Sequence, residues 1–244
     1  MSLPLQIIPT LFVEDYKRSF DPTIQPYFEK LSESELSTIV FNLLVSYSAL
    51  FSTKMTGEND GFDPSEDLME AYLFAHTTTL SAQSIIDAHV LLTKHILPET
   101  QQGQFRTTTV SALAESSNVE YAAAAPHLLF SEMLKYYVDL DQLMNTDLSF
   151  EKVFYFASML HLVIVTIHPF QDGNGRMGRL IEKWFLAEKL GPMAWSIESE
   201  KYYCEQQEKY YENIRSLGLV YGALNFREAL PFLQMLTLSV VAIT

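Results

Sequence analysis

The sequence predicts an almost entirely helical protein, an all-α fold with one short β-hairpin. Apolar residues recur at helical spacing through most of the 244 residues. Capping residues, prolines and glycines divide this pattern into separate helices. Because the chain has no internal repeat and no low-complexity linker, we expect a single helical bundle with extensions.

We predict three successive parts of the chain. Residues 1–80 begin irregularly and then form helices, the longest over 32–57, where Ser32 and Glu35 make a capping box. Residues 81–200 form a core that contains the hairpin, and residues 201–244 close the bundle. The apolar spacing predicts further helices from Pro64 (capped by Asp63), from Ala82 to before Pro98, over 126–143, over 150–167, after residue 173, over 199–217 and over 226–243.

The long helix over 32–57 is amphipathic by its spacing. We expect its apolar stripe to face the core of the protein. The stripe consists of Leu36, Ile39, Val40, Leu43, Leu44, Tyr47 and Leu50.

A change of pattern at about residues 106–122 predicts the hairpin. A β-prone run comes first, a polar run over 115–118 follows, and a second β-prone run ends at Tyr121. The first run, which we take as the first strand, is Thr107, Thr108, Thr109 and Val110.

Charge and composition exclude several classes of function. Thirty acidic against 16 basic residues give a net charge of −14, the wrong sign for following a nucleic-acid backbone. Cys204 is the only cysteine, which excludes an intrachain disulfide. No basic residue precedes Lys17, and the apolar stretches 162–167 and 229–244 resemble buried helices more than membrane spans. We therefore expect a cytoplasmic protein without nucleic-acid or membrane partners.

Residues 168–176, His-Pro-Phe-Gln-Asp-Gly-Asn-Gly-Arg, lie between two predicted helices. Pro169 is expected to hold His168 in an extended conformation at the end of the first helix. Gly173 and Gly175 allow a tight turn that brings the backbone close to a ligand. Because the second helix begins here, its free N–H groups predict an anion site.

Four side chains of this loop match the chemistry of phosphoryl-group transfer. Arg176 and Arg179 are three residues apart, so both guanidinium groups can hold phosphate oxygens. Asp172 offers the oxygen ligand that Mg²⁺ prefers beside water and phosphate. His168 is suited to accept a proton near neutral pH. Together they predict transfer of a phosphate-bearing group.

The loop also resembles the signature of Fic-domain proteins, His-Pro-Phe-x-Asp/Glu-Gly-Asn-Gly/Lys-Arg, at every specified position, and Arg179 matches the second arginine that often follows. The likeness extends over residues 50–215, through Arg106 in the region of the family's flap and His161 before the motif. We expect His161 to be structural. The resemblance implies a helical Fic fold, with the hairpin as a flap beside the active-site loop.

The implied activity is protein adenylyl transfer. His168 would deprotonate a Ser, Thr or Tyr hydroxyl of a target protein, or of the enzyme itself, and the oxygen would attack the α-phosphate of ATP with release of pyrophosphate. The resemblance implies Mg²⁺ on Asp172, an anion hole from the backbone of Gly173, Asn174 and Gly175 with the Asn174 side chain, polyphosphate contacts from Arg176 and Arg179, and Phe170 as the loop anchor.

Two further regions receive roles from the resemblance. The target protein would add a strand along the flap, including Thr107 to Val110, a mode that tolerates many sequences. Tyr210, Tyr211 or Asn213 would line the adenine pocket, although the two tyrosines are equally plausible as core residues.

Residues 52–57, Ser-Thr-Lys-Met-Thr-Gly, resemble the inhibitory helix of many Fic proteins, Ser/Thr-x-x-x-Glu-Gly/Asn. Thr56 stands where the inhibitory glutamate is expected, and a hydroxyl cannot form the charged pair with Arg179. Glu58 comes two residues later, on another helical face. We expect glutamate-mediated inhibition to be weak or absent, or the chain to be an altered version of an inhibited one, with Arg179 free to hold ATP.

Other functions are compatible with the sequence. A relative could transfer phosphate or UMP, or remove AMP, although Gly175 and Arg176 favour AMP transfer and the lack of an aligned glutamate weakens AMP removal. From another class, the chain could be a helical interaction module with an inactive nucleotide site. The oligomeric state is open, and a homodimer is compatible with the sequence.

Overall fold

The computed structural model describes residues 5–32, 37–55, 64–113 and 120–241, and within them the chain forms eleven α-helices. The prediction of an all-α fold is confirmed. The helices are α1 Val13–Ser19, α2 Ile24–Ser32, α3 Thr38–Lys54, α4 Ser65–Thr77, α5 Ala82–Leu92, α6 Leu129–Met144, α7 Phe150–Ile167, α8 Asn174–Leu190, α9 Ser199–Glu205, α10 Gln207–Arg215 and α11 Leu230–Val241.

Helix α7 is the centre of the core. It is long and apolar enough to cross a membrane by length and composition, yet 78% of that window is buried inside the protein. It packs against α8 so closely at Gly178 that an added Cβ would lie 2.5 Å from Cδ2 of His161. This close approach of the two helices fixes the loop between them, residues 168–173.

The hairpin consists of strands β1 Ser111–Leu113 and β2 Glu120–Ala122, paired antiparallel with Ala112 opposite Tyr121. The first strand therefore follows the run from Thr107 to Val110, which was wrongly predicted to form it. Side-chain bonds explain the difference, because the Thr108 carbonyl accepts from Arg106 and the Thr108 hydroxyl donates to Gln171 at 3.1 Å. These bonds hold the run against the loop before the strand begins.

The N-terminal part differs from its prediction. Its irregular start contains α1 and α2, and Ser32 is the last residue of α2 instead of the cap of the next helix. Helix α3 begins at Thr38, and its cap is Ser37, whose hydroxyl accepts from the Val40 N–H at 3.4 Å. Glu35 and Asp63, the other predicted capping residues, lie outside the described residues.

The predicted orientation of the long helix was also wrong. Ile39, Leu43 and Tyr47 of the apolar stripe are 82%, 56% and 54% exposed. The buried face of α3 instead includes Ser48 and Ser52. Both hydroxyls accept hydrogen bonds from buried cations on α8, which offsets the cost of burying them. Because α3 is apolar on both faces, spacing alone could not identify the buried one.

At the C-terminal end, the helix predicted over 199–217 is two helices, α9 and α10, which meet at Gln206. Helix α11 begins at Leu230, after a short 3₁₀ turn over Phe226–Glu228. The helix predicted over 150–167 has the predicted bounds.

Candidate active site

His168 is the residue at which α7 ends. Its φ of 54° and ψ of 59° lie in the left-handed region, and no other non-glycine residue in the described ranges has a positive φ. The predicted extended conformation was wrong, because Pro169 disfavours only the right-handed helical region for the residue before it. The left-handed residue caps α7, and its N–H donates to the Ile164 carbonyl at 2.9 Å.

The imidazole of His168 is neutral at pH 7. Burial and the nearby positive charge of Arg106 lower its pKa to about 4, against a hydrogen bond to the Val165 carbonyl and the charge of Asp172, which act in the opposite direction. Since the ring donates to Val165, its other nitrogen is left as a proton acceptor. This is the form that a general base requires.

Phe170 packs the loop against α5. Its side chain is fully buried and stacks on the His89 ring, with centroids 3.7 Å apart. The Asn174 side chain holds the Phe170 backbone at both polar groups, accepting from its N–H and donating to its carbonyl at 2.9 Å each. The structure therefore gives the Asn174 amide a role in shaping the loop, and its role in the anion hole stays a prediction.

The first turn of α8 continues directly from the loop. Gly173 caps the helix with φ 80°, and a Cβ there would lie 2.7 Å from Leu92 Cδ1. A Cβ on Gly175 would lie 3.4 Å from NH1 of Arg179. The free N–H groups at the start of α8 and this guanidinium therefore share one small region, which is suited to an anion.

Arg176 is a buried cation with unused donors. Its side chain is 1% exposed, and its NH2 donates to Asp172 Oδ1 at 3.2 Å. Its Nε and NH1 are buried and have no hydrogen-bond partner among the described residues. Because burying an unpaired donor of a charged group is costly, these two nitrogens indicate an anionic ligand.

Arg179 is not free, contrary to the prediction. Its Nε donates to Ser52 Oγ at 2.7 Å and its NH2 to the Ser52 carbonyl at 2.8 Å, and the side chain is 1% exposed. Ser52 itself is fully buried. The predicted regulatory segment thus reaches Arg179 through a serine. Thr56 and Glu58 lie outside the described residues.

Asp172 is the carboxylate that pairs with Arg176, and its side chain is 45% exposed. Its Oδ1 accepts from the N–H of Gly173. In the part of the chain that the structure describes, no group of three or more His, Cys, Asp or Glu side chains could hold a metal ion. Mg²⁺ at Asp172 would fit only with phosphate and water oxygens as its other ligands, a coordination that Mg²⁺ favours.

The predicted adenine-pocket residues each have partners within the fold. The Tyr210 hydroxyl is buried and lies 2.9 Å from Nε2 of His161, whose Nδ1 lies 3.0 Å from Glu182. The Tyr211 hydroxyl donates to the Met55 carbonyl at 2.9 Å. The Asn213 amide donates to Met235 Sδ on α11 at 3.3 Å. The structure therefore favours the alternative reading of the tyrosines as fold residues, and it makes His161 a member of a buried network.

Sequence reasoning missed His89. Its Nδ1 accepts from the Gly103 N–H at 2.9 Å and its Nε2 donates to the Asp172 carbonyl at 3.0 Å, so the neutral ring joins the loop to the turn before the flap. Burial lowers its pKa to about 4. The available signal was its place on the buried stripe of α5, beside Ile85 and Leu92.

Residues 79–186 match the sequence profile of the Fic/DOC family. These residues form a Fic domain. The matched part of the Fic domain includes the flap, the loop from His168 and both arginines. A protein named adenylyltransferase Fic, from Nematostella vectensis, is 28% identical over 121 residues. That stretch spans 50% of this chain but only 26% of the relative's length.

Solved structures show the same fold beyond the Fic domain. A Fic family protein from Desulfovibrio desulfuricans aligns with a TM-score of 0.71 at 18% identity, covering 98% of this chain and 74% of its own. Fic-1 from C. elegans aligns at 0.60 and 16%, covering 95% and 71%. A Fic-domain signaling protein from Bacteroides thetaiotaomicron aligns at 0.57 and 15%, covering 94% and 92%. The N-terminal and C-terminal helices therefore share in the common fold.

Proposed function

We propose that this Fic-type transferase is a protein adenylyltransferase, which transfers AMP from ATP to a hydroxyl of a target protein. The observation that carries the proposal is the pair of buried nitrogens on Arg176 that have no partner among the described residues, in the first turn of α8. The neutral imidazole of His168 lies in the loop that leads into this helix. A polyphosphate would supply the missing acceptors. The relative named as an adenylyltransferase supports ATP as its source.

The protein's own groups would act as follows. Backbone N–H groups of the first turn of α8 and the Arg176 guanidinium bind phosphate oxygens and stabilise the negative charge that grows on them. His168 takes the proton of the target hydroxyl as its oxygen bonds to the α-phosphorus. The bond from that phosphorus to the bridging oxygen breaks, and pyrophosphate leaves. Mg²⁺ held by Asp172 would supply positive charge beside the leaving group.

The bound nucleotide would also raise the pKa of His168, the proposed base. In the ligand-free site the pKa of His168 is about 4, which is low for a general base. The negative phosphates would offset the positive charge of Arg106 and raise that pKa toward the working pH. Binding of the co-substrate and activation of the base would thus be coupled.

The test is incubation of the protein, alone and with a cell lysate, with ATP labelled on either the α- or the γ-phosphate. We expect protein-bound label from the α-position only, and none with His168→Ala. Label from the γ-position only would show phosphate transfer instead. Absence of both labels, together with absence of ATP binding by calorimetry, would favour a non-catalytic interaction module.

A further inference from the structure

Arg106 lies where three segments of the molecule meet. Its Nε donates to the His168 carbonyl at 2.7 Å, its NH1 donates to the Thr108 carbonyl at 2.7 Å, and its NH2 donates to the Ala124 carbonyl. Thr108 precedes β1 and Ala124 follows β2. One guanidinium therefore binds both ends of the flap and the backbone of the proposed base.

The backbone of Arg106 adds to this arrangement. Its N–H donates to the Pro169 carbonyl at 2.9 Å, and the preceding residue, Phe105, forms a β-bridge with Phe170. The segment before the flap thus runs along the loop on both sides of Arg106. Side chain and main chain together hold the segments before β1 and after β2 against the loop.

Arg106 is an unusual buried cation. It is 4% exposed, and no carboxylate lies within ion-pair distance among the residues that the structure describes. All three of its described side-chain hydrogen bonds go to carbonyl oxygens. Only a guanidinium offers donors in three fixed in-plane directions, whereas the Lys ammonium is a compact group on a flexible stem. The site therefore requires the donor geometry of arginine in addition to a positive charge.

The Arg106 contacts matter because one of them binds the backbone of His168, which has a strained conformation. A left-handed conformation at a residue with a side chain is strained and persists only when its surroundings hold it. The carbonyl that Arg106 binds belongs to this strained residue, and the next carbonyl, that of Pro169, accepts from the Arg106 N–H. Two consecutive peptide groups at the strained turn are thus held by one residue.

We propose that Arg106 is a positioning residue, which holds His168 in its left-handed conformation and fixes the flap at a set distance from the imidazole. The inference rests on the proposed function, because a target segment aligned on the flap would present its hydroxyl to His168. Misplacement by about 1 Å costs up to about 100-fold in rate in enzyme sites. Arg106 would therefore act on the rate of transfer more than on ATP affinity.

The charge of Arg106 should also lower the pKa of His168, and this pKa is a second, independent measurement. That charge faces His168, as does the carboxylate of Asp172, which acts in the opposite direction. Arg106→Lys keeps the charge but loses the three-way geometry, and Arg106→Met loses both. The two variants therefore separate the positional effect from the electrostatic one.

The experiment measures transfer rates at saturating ATP, the KM for ATP, and the titration of the His168 ring by NMR in the ligand-free protein, with the resonance assigned by its loss in His168→Ala. We expect kcat to fall about 10- to 100-fold in both Arg106 variants with KM for ATP within about threefold of wild type. We expect the pKa of His168 to rise clearly in Arg106→Met and to change little in Arg106→Lys.

Tyr136→Phe is the matched control, since Tyr136 is a buried residue whose hydroxyl donates to the Leu160 carbonyl of α7, away from the loop. It should leave kcat and the titration unchanged. A kcat within threefold of wild type in Arg106→Lys, together with an unchanged titration in Arg106→Met, would overturn the inference. If wild type transfers no label, the proposed function fails, while the NMR titration still tests the contact between Arg106 and His168.

Discussion

Helices α3 and α8 are joined at two neighbouring points that differ in charge balance. At the lysine contact, Lys183 Nζ donates to Ser48 Oγ at 2.7 Å. At the arginine contact, Arg179 Nε donates to Ser52 Oγ at 2.7 Å. The residues are four apart on each helix, so the second contact repeats the first about one helical turn away.

The lysine contact is neutralised within the protein. Lys183 forms an ion pair with Glu200, which also accepts a hydrogen bond from the Tyr72 hydroxyl. Lys183, Glu200 and Tyr72 are all at most 1% exposed. A buried ion pair with this many hydrogen bonds has no spare capacity for a ligand. Its role is to hold α3, α4, α8 and α9 together.

The arginine contact has no such neutralisation. Arg179 has no carboxylate within ion-pair distance in the described ranges, and the neighbouring Arg176 has only the partly exposed Asp172. Two buried guanidinium groups therefore lie beside the start of α8 with an excess of positive charge. Within the described residues, Lys183 is therefore balanced by a buried carboxylate, whereas the two arginines are not, and we propose that an anionic ligand completes their site.

The largest effect that we expect is a loss of stability when the lysine contact is disrupted. Lys183→Met leaves Glu200 buried without its cation, which should lower the free energy of unfolding by about 3–5 kcal/mol. Denaturant titration measures the loss, and ATP affinity of the folded protein should stay at the wild-type value. A loss below about 1 kcal/mol would show that the lysine contact does not hold the bundle.

Arg179→Met should have the opposite profile. Loss of a charge-assisted contact to phosphate is expected to weaken Mg·ATP binding by about 10- to 100-fold, or roughly 1.4–2.8 kcal/mol, as measured by calorimetry. Stability should fall less than in Lys183→Met, because no buried carboxylate loses its partner. Unchanged affinity with a larger loss of stability would make Arg179 a structural residue like Lys183.

We expect acid to lower the free energy of unfolding through His89 and His168. The pKa values of His89 and His168 are both lowered to about 4, so the unfolded chain binds more protons than the folded one below about pH 6.5. Stability should therefore fall as pH decreases from about 6.5 to 4, by up to about 1.4 kcal/mol per pH unit for a fully buried histidine.

Denaturant titrations at several pH values measure this slope. In His89→Asn, whose amide can still accept from the Gly103 N–H, the slope should be smaller by about one proton. An equal slope in wild type and variant would mean that His89 is not held neutral by the fold.

The smallest expected effect is at Ser52. Ser52→Ala removes the acceptor of Arg179 Nε and leaves that donor for phosphate, so Mg·ATP should bind up to about fivefold more tightly, close to 1 kcal/mol. Ser48→Ala removes the equivalent hydroxyl at the lysine contact and serves as the control, with no change in affinity. Weaker binding in Ser52→Ala would instead mean that Ser52 orients Arg179 for the ligand.

Local patterns predicted much of this molecule. The bounds of α7 and the helix start after residue 173 follow from spacing and backbone freedom within a few residues of each position. The resemblance of the loop to Fic proteins added the fold and the flap. These features depend little on distant parts of the chain.

Features that depend on distant partners were missed. The buried face of α3 is decided by the cations of α8, and the conformation of His168 is stabilised by Arg106, 62 residues away. His89 binds the Asp172 carbonyl across 83 residues. A single sequence does not show which distant residues pair. Each of these residues, taken alone, is also compatible with a local environment that needs no distant partner.

A crystal structure with Mg²⁺ and a non-hydrolysable ATP analogue would show directly whether Arg176 and the start of α8 bind phosphate. We predict phosphate oxygens at the backbone N–H groups of residues 174–176, with Nε and NH1 of Arg176 now hydrogen-bonded to them, and an unchanged ion pair between Lys183 and Glu200. Nucleotide bound elsewhere, with both Arg176 nitrogens still unpartnered, would contradict the proposal that Arg176 and Arg179 bind an anion.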